Sequence, residues 1–140
     1  MLIRDVIPNR EPYSTKATTT VQEAAEFMAA RNIGAVCVLD DAGNLIGVFS
    51  ERDVLNRIVV TGRDPRSVSV GEVTSELRAV IRSDETPHQA LERMEESGTR
   101  HLPVMEGDRW VGMLSIRDLL RVEVGEQGDE LKFLHDYIQQ

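Results

Sequence analysis

Apolar residues along the chain follow two periodicities, and the pair of patterns occurs twice. Val21, Ala24, Ala25 and Met28, and later Ala90, Leu91 and Met94, recur at the three- and four-residue spacing that lines one face of a helix. A threonine stands ahead of each stripe. Thr20 with Glu23, and Thr86 with Gln89, have the spacing of a capping box, and Pro87 sits where a missing N–H costs nothing. Both methionines read as core filling. Next come short apolar runs in pairs, Ala35 to Leu39 with Leu45 to Phe49, and Leu102 to Met105 with Trp110 to Leu114, each pair split by a polar turn containing Gly. These predict hairpins. Stretches near Tyr13 to Thr15 and Ala79 to Ile81 supply a further strand before each helix, while Asp53 to Val60 and Asp118 to Val124 return to helical spacing. The pattern is β-α-β-β-α, twice, and Glu130 to Ile138, with Leu131, Leu134 and Ile138 on one face, predicts a closing helix after the break at Gly125 to Gly128.

The two passages also share residues. Gly47-Val48-Phe49-Ser50-Glu51-Arg52-Asp53-Val54-Leu55 returns as Gly112-Met113-Leu114-Ser115-Ile116-Arg117-Asp118-Leu119-Leu120. Thr20 and Thr86 stand 66 residues apart, Asp53 and Asp118 stand 65 apart, and the lead-in pairs Asp5-Val6 and Glu72-Val73 stand 67 apart. One residue is therefore missing from the turn at Glu106 to Arg109 relative to Asp40 to Asn44, a change that a structural repeat tolerates. One unit alone leaves an apolar sheet face uncovered. The expected fold is α/β, more strictly α+β, with two repeats packed as a pseudo-twofold pair, sheets inside and helices outside, and a cleft at the seam. The expected boundaries are residues 1–62 for repeat one with its lead-in, 63–72 for the connector and second lead-in, 73–124 for repeat two, and 125–140 for the C-terminal helix. Within this scheme Thr61 to Ser67 reads as the connecting loop.

Composition narrows the field of functions. A chain of 140 residues buries roughly 68–70% of its unfolded surface without metals or disulfides. The single Cys37 lies in an apolar run and reads as a small core side chain. No signal peptide or membrane span is visible, so the cytosol is the expected compartment. The net charge of −8 and pI near 4.9 argue against nucleic acid as a partner, since phosphate-backbone binding needs a broad basic surface. A small anion held by a few local cations remains compatible with that charge. His88 and His135 are isolated from other ligating residues, so no metal site is expected. Nor is there a nucleophile elbow, a P-loop or a Gly-rich dinucleotide fingerprint, and the chain is expected not to be an enzyme.

The repeated motif has its own chemistry. Gly47 and Gly112 leave bare backbone where a flat ring or phosphate can approach. Ser50 and Ser115 fall at the end of a strand and the start of a helix, where amides favour an anion, so they are candidate phosphate ligands. Asp53 and Asp118 can each accept hydrogen bonds from both hydroxyls of a ribose. A plainer reading stands beside this for all four: each Ser and Asp caps the helix that follows. Arg52 and Arg117 are candidates for phosphate contact or for salt bridges with neighbouring acids.

Phe49-Ser50-Glu51-Arg52-Asp53 in the first copy, and Arg100-His101-Leu102-Pro103-Val104 with Ser115-Ile116-Arg117-Asp118 in the second, resemble the paired CBS domains known as the Bateman module, in particular the small stand-alone proteins of bacteria. The resemblance covers roughly Val6 to Val124. It implies a sensor of adenine nucleotides, AMP above all, with ADP, ATP, NAD and S-adenosylmethionine as alternatives, bound in the cleft between repeats. It implies that Arg100 and His101 reach phosphate, and here their counterparts Gly34 and Ala35 carry no charge, so the two sites are unequal. Backbone and apolar groups near Ala35, Val36, Cys37, Leu102 and Pro103 would contact the purine. Val73-Thr74 stands where Met-Thr is common in the family. The resemblance also implies a flat homodimer, no required cofactor, and a signal passed to a separate, unknown effector protein. The competing reading is a structural or interaction protein with empty clefts that works through its dimer surface.

Overall fold

The structure is a computed structural model and describes residues 1–122. Its elements follow the order α1 (Ile3–Val6), β1 (Ser14–Lys16), α2 (Val21–Arg31), β2 (Ala35–Leu39), β3 (Leu45–Ser50), α3 (Glu51–Val54), α4 (Val70–Val73), β4 (Ile81–Arg82), α5 (Pro87–Ser97), β5 (His101–Glu106), β6 (Arg109–Ser115) and α6 (Ile116–Leu120). A wide π-helical turn, Leu55–Val59, continues α3, with the Val60 N–H bonded to the Leu55 carbonyl at 3.0 Å. The predicted closing helix at Glu130 to Ile138, and the end of the helix predicted to Val124, lie outside the described residues.

The fold is mixed α+β with two three-stranded sheets, β1-β2-β3 and β4-β5-β6. In each, the first pair is parallel and the second an antiparallel hairpin. Even the irregularities repeat. The hairpin register slips between Val38 and Leu39 in one sheet and between Val104 and Met105 in the other. Both long helices end in a left-handed residue at equivalent places, Asn32 at φ 52° and Gly98 at φ 70°. The start of α5 carries the full capping box, while at α2 the Thr20 hydroxyl accepts from the Glu23 N–H at 3.1 Å. Strand β4 begins later than the sequence pattern suggests because Arg93 takes the Val80 carbonyl at 3.0 Å, and the ladder starts at Ile81 opposite Val104.

Two compact units result, Tyr13–Leu77, and Met1–Pro12 together with the described residues from Arg78. This division differs from the sequence boundaries, which keep the first lead-in within residues 1–62. The lead-ins are exchanged. Ile3 is buried among Ile81, Leu91, Met94, Leu102 and Leu114, all of the second repeat, whereas Val70 and Val73 are buried with Val21, Met28, Val36 and Phe49 of the first. The same two backbone bonds dock each lead-in: Ile3 and Arg4 donate to the Glu85 and Ser83 carbonyls at 2.8 and 3.0 Å, and Val70 and Gly71 donate to those of Thr19 and Ala17 at 2.8 and 2.9 Å. A four-residue helix cannot stand alone, so burial of its apolar side chains decides where it sits.

Glu85, beside the docked α1, is held by a two-pronged ion pair. Its carboxylate oxygens accept from both terminal nitrogens of Arg93 at 2.8 Å, and from the Arg82 N–H at 2.7 Å. The Arg93 hydrogen bonds hold the Glu85 carboxyl below the usual carboxylate range against the opposing effect of burial. A carboxyl whose folded-state value is depressed stabilises the protein above its unfolded value, about 4.3, and that stability disappears as pH falls through the folded value. Glu85→Gln is therefore expected to lower stability by about 1–2 kcal/mol at pH 7, discounted for the partial solvent screening of the pair. In urea titrations across pH, the gap between wild type and variant should close in acid.

Candidate functional site

Each repeat turns from its last strand into a short helix at a Ser-x-Arg-Asp corner, and the local bonds are of one kind. The Ser50 hydroxyl accepts from the Asp53 N–H at 3.3 Å, and the Asp53 carboxylate accepts in return from the Ser50 N–H at 2.9 Å. Ser115 and Asp118 repeat this at 3.2 and 2.7 Å. The capping reading is thus what the structure shows in both copies, a device worth about 1 kcal/mol for each helix. Both carboxylates are nearly buried, 5% exposed for Asp53 and 8% for Asp118.

A second strand end meets each corner. The Glu51 N–H donates to the Gly34 carbonyl at 3.0 Å, and the Ile116 N–H to the Arg100 carbonyl at 2.9 Å. Position 100 is thereby fixed beside Ser115 and Asp118, as position 34 is beside Ser50 and Asp53. The structure accordingly brings Arg100, His101, Ser115, Arg117 and Asp118 to one corner, and Ser50, Arg52 and Asp53 to the other. Arg52, Arg100 and Arg117 are exposed, and none makes a side-chain ion pair or hydrogen bond among the described residues. The salt-bridge reading of Arg52 and Arg117 finds no support there.

The residues expected against a purine divide between the faces of their strands. Val36 and Leu102 belong to the hydrophobic cores. Ala35, Cys37 and Pro103, which alternate with them, point to the opposite face and are also buried. A base meeting Val36 or Leu102 would have only backbone to touch.

Residues that sequence reasoning missed complete the first corner. The Ser75 hydroxyl donates to Asp53 Oδ1 at 2.6 Å, and Arg57 Nε lies 3.6 Å from the same oxygen. Arg57 also donates to the Val73 and Thr74 carbonyls at 3.3 and 3.2 Å. Ser75 itself forms an antiparallel bridge with Val48 at the edge of β3. The available signal was its place directly after the repeated lead-in. Among the described residues no group of His, Cys, Asp and Glu is arranged to hold a metal ion.

A family model, CBS domain, matches residues 3–60 and 70–125. The chain belongs to the CBS domain family. Both matched spans include a lead-in and a Ser-x-Arg-Asp corner, so the corner is part of the CBS repeat. Among curated proteins it is 36% identical over 124 residues to the mitochondrial CBS domain-containing protein CBSX3 of Arabidopsis thaliana, covering 86% of this chain and 60% of that protein. It spans 22% of a second relative from the same plant, the CBS domain-containing protein CBSCBSPB2, at 33% identity over 119 residues and 81% of this chain. Among solved structures, a CBS domain protein of Pyrobaculum aerophilum complexed with AMP is similar with a TM-score of 0.81 and 26% identity, covering 95% of this chain and 99% of that one. A putative signal-transduction protein with CBS domains from Burkholderia ambifaria has a TM-score of 0.82 at 26% identity, covering 91% and 96%.

Proposed function

We propose that this CBS pair is a regulatory, non-catalytic module that binds an adenine nucleotide of the AMP, ADP or ATP type and signals to a separate protein in the cytosol. One observation carries the reading. On a protein of net charge −8, two exposed arginines without ion-pair partners among the described residues, Arg100 and Arg117, stand at the corner that carries the Ser115 hydroxyl and the nearly buried Asp118 carboxylate. Cations gathered there suit phosphate, and a carboxylate acceptor suits a ribose diol. The AMP bound to the Pyrobaculum protein supports the choice of ligand class. Binding would act by differing affinity for two arrangements of the protein.

Self-association belongs to the same reading. Leu55, Val59 and Val60 are 54%, 64% and 71% exposed on and just after the π-helical turn, an apolar strip that a second copy would cover.

Thermal unfolding and calorimetry with AMP, ADP, ATP, NAD, S-adenosylmethionine and guanine nucleotides test the proposal. Adenylates are expected to raise the melting temperature, with roughly 2.7 kcal/mol of added stability at a hundred times the dissociation constant. Sedimentation of the same samples should report a dimer. A flat response to every nucleotide would overturn the sensor and leave the structural reading.

A further inference from the structure

The two corners share a motif and differ in how their carboxylates are used. At Asp53, Oδ2 accepts from both the N–H and the hydroxyl of Ser50, at 2.9 and 3.1 Å, and Oδ1 accepts from the Ser75 hydroxyl at 2.6 Å with Arg57 at 3.6 Å. Ser75 is part of the lead-in segment that follows α4, and Arg57 grips the carbonyls at the end of that helix. Asp53 therefore ties three pieces of chain together: the start of α3, the π-helical turn and the docked lead-in.

Among the described residues Asp118 has no such ties. Its Oδ2 accepts from the Ser115 N–H at 2.7 Å, while Oδ1 faces Arg121 at 3.7 Å, a side chain 74% exposed. Laying α1 on α4 residue for residue puts Ile7 at the position of Thr74 and Pro8 at that of Ser75. Proline has neither a hydroxyl nor an N–H, so it can supply neither the hydrogen bond to the carboxylate nor the backbone bridge to the strand edge. The charges diverge in the same sense. Where the second corner carries Arg100 and Ile116, the first has Gly34 with the Glu51 carboxylate directly over it, 3.3 Å from where a Cβ would be. Both corners keep the arginine of the motif, Arg52 or Arg117, so the difference in charge is at one position: the first corner has the Glu51 carboxylate over Gly34 where the second carries Arg100.

We infer that the repeats have divided the two roles: Asp53 is a structural latch for the exchanged lead-in, and the second repeat alone takes the ribonucleotide, one per chain, through Asp118, Ser115, Arg100 and Arg117. This rests on the nucleotide-binding reading and narrows it to one corner. Three hydrogen bonds already fill most of the acceptor sites of the Asp53 carboxylate, so a ribose diol that needs two of them must displace a serine hydroxyl, Ser50 or Ser75. At Asp118 it displaces only a solvent-screened guanidinium.

Calorimetric titration of the full chain with AMP, paired with urea unfolding without nucleotide, tests the division. One AMP per chain is expected. Asp118→Asn should weaken AMP about 10- to 100-fold and lower the urea midpoint less than Asp53→Asn, since its amide oxygen can still accept from the Ser115 N–H and it has no second segment to release. Arg100→Gly, which installs the residue of the first repeat, should weaken AMP while leaving adenosine, which has no phosphate, bound as before. Asp53→Asn should lower the urea midpoint further and leave AMP affinity within about twofold, the scatter ordinary for such titrations. Should Asp53→Asn not fold, Ser75→Ala removes only the latch hydroxyl and carries the same expectation. Two AMP per chain, or binding lost in the Asp53 or Ser75 variant at an unchanged midpoint, overturns the division. If AMP does not bind the wild type, the nucleotide-binding reading itself fails. The latch is then decided by the midpoints alone, and equal midpoints for Asp53→Asn and Asp118→Asn overturn it.

Discussion

Replacing Phe49 by alanine is expected to lower the free energy of unfolding by about 3–5 kcal/mol, read as a fall in the urea midpoint at an unchanged slope. The ring is fully buried in the core that gathers Val21, Ala24 and Met28 of α2, Val36 and Val38 of β2, and Val70 and Val73 of the docked α4, and Phe49 pairs with Val36 across the hairpin. It is the largest fully buried side chain among the described residues, and a close-packed core contributed by two helices and a strand closes only in part over the cavity it leaves. Against a total stability of about 5–15 kcal/mol, that loss is enough to make the Tyr13–Leu77 unit marginal. Leu114 holds the equivalent place in the other unit, also fully buried. Phe49→Leu therefore installs a side chain that this architecture already uses there, and its cost should be well below that of alanine. Equal losses for the leucine and alanine variants would mean that shape, not volume, governs the site.

What was legible in the sequence was local. The capping spacing of Thr86 and Gln89, and of Ser50 and Asp53, works through contacts three residues apart, and both boxes form. The apolar stripes of α2 and α5 bury Val21, Ala24 and Met28, and Ala90, Leu91 and Met94, as their periodicity marks, while Ala25 of the first stripe is half-buried. The repeat carried the rest of the architecture, because what one copy suggests weakly two copies suggest together. Contacts that jump along the chain left no such trace. Ile3–Val6 and Val70–Val73 are each too short to carry a periodic signal, and nothing local says which core will bury them. Ser75 is 22 residues from Asp53, so its hydroxyl on that carboxylate follows from the exchange of the lead-ins and is invisible without it. The unequal wiring of the two aspartates was likewise hidden. The sequence difference at Gly34 and Arg100 was plain, but the one between Ser75 and Pro8 acquires meaning only once each lead-in is seen on the other repeat.

The same exchange makes two glycines that look equivalent respond oppositely to one added methyl group. Gly47 and Gly112 open the repeated motif and pair with Val38 and Val104 in matching registers. A Cβ at Gly47 would lie 2.8 Å from the Ser75 carbonyl oxygen and 2.9 Å from the Thr74 hydroxyl, whereas at Gly112 the nearest atom is the Ile7 methyl at 3.6 Å, an ordinary contact. Backbone cannot rotate out of the way as a side chain can. Gly47→Ala must push the lead-in from the strand edge, straining the bonds to the Val48 carbonyl from the Ser75 N–H at 3.1 Å and the Thr74 hydroxyl at 2.9 Å. Overpacking of about 1–3 kcal/mol, with roughly 0.5–1.5 kcal/mol for each hydrogen bond lost, puts the expected destabilisation at about 2–5 kcal/mol. Gly112→Ala should stay within about 1 kcal/mol of wild type, because alanine suits an extended strand better than glycine and its methyl meets only a flexible side-chain tip. Urea midpoints of the two variants measured side by side decide the matter, and amide exchange at Val48 and Ser75 should quicken in Gly47→Ala alone. Equal midpoints would mean that the Thr74-Ser75 segment does not press on the edge of β3, and the latch at Asp53 would lose the neighbour that holds it shut.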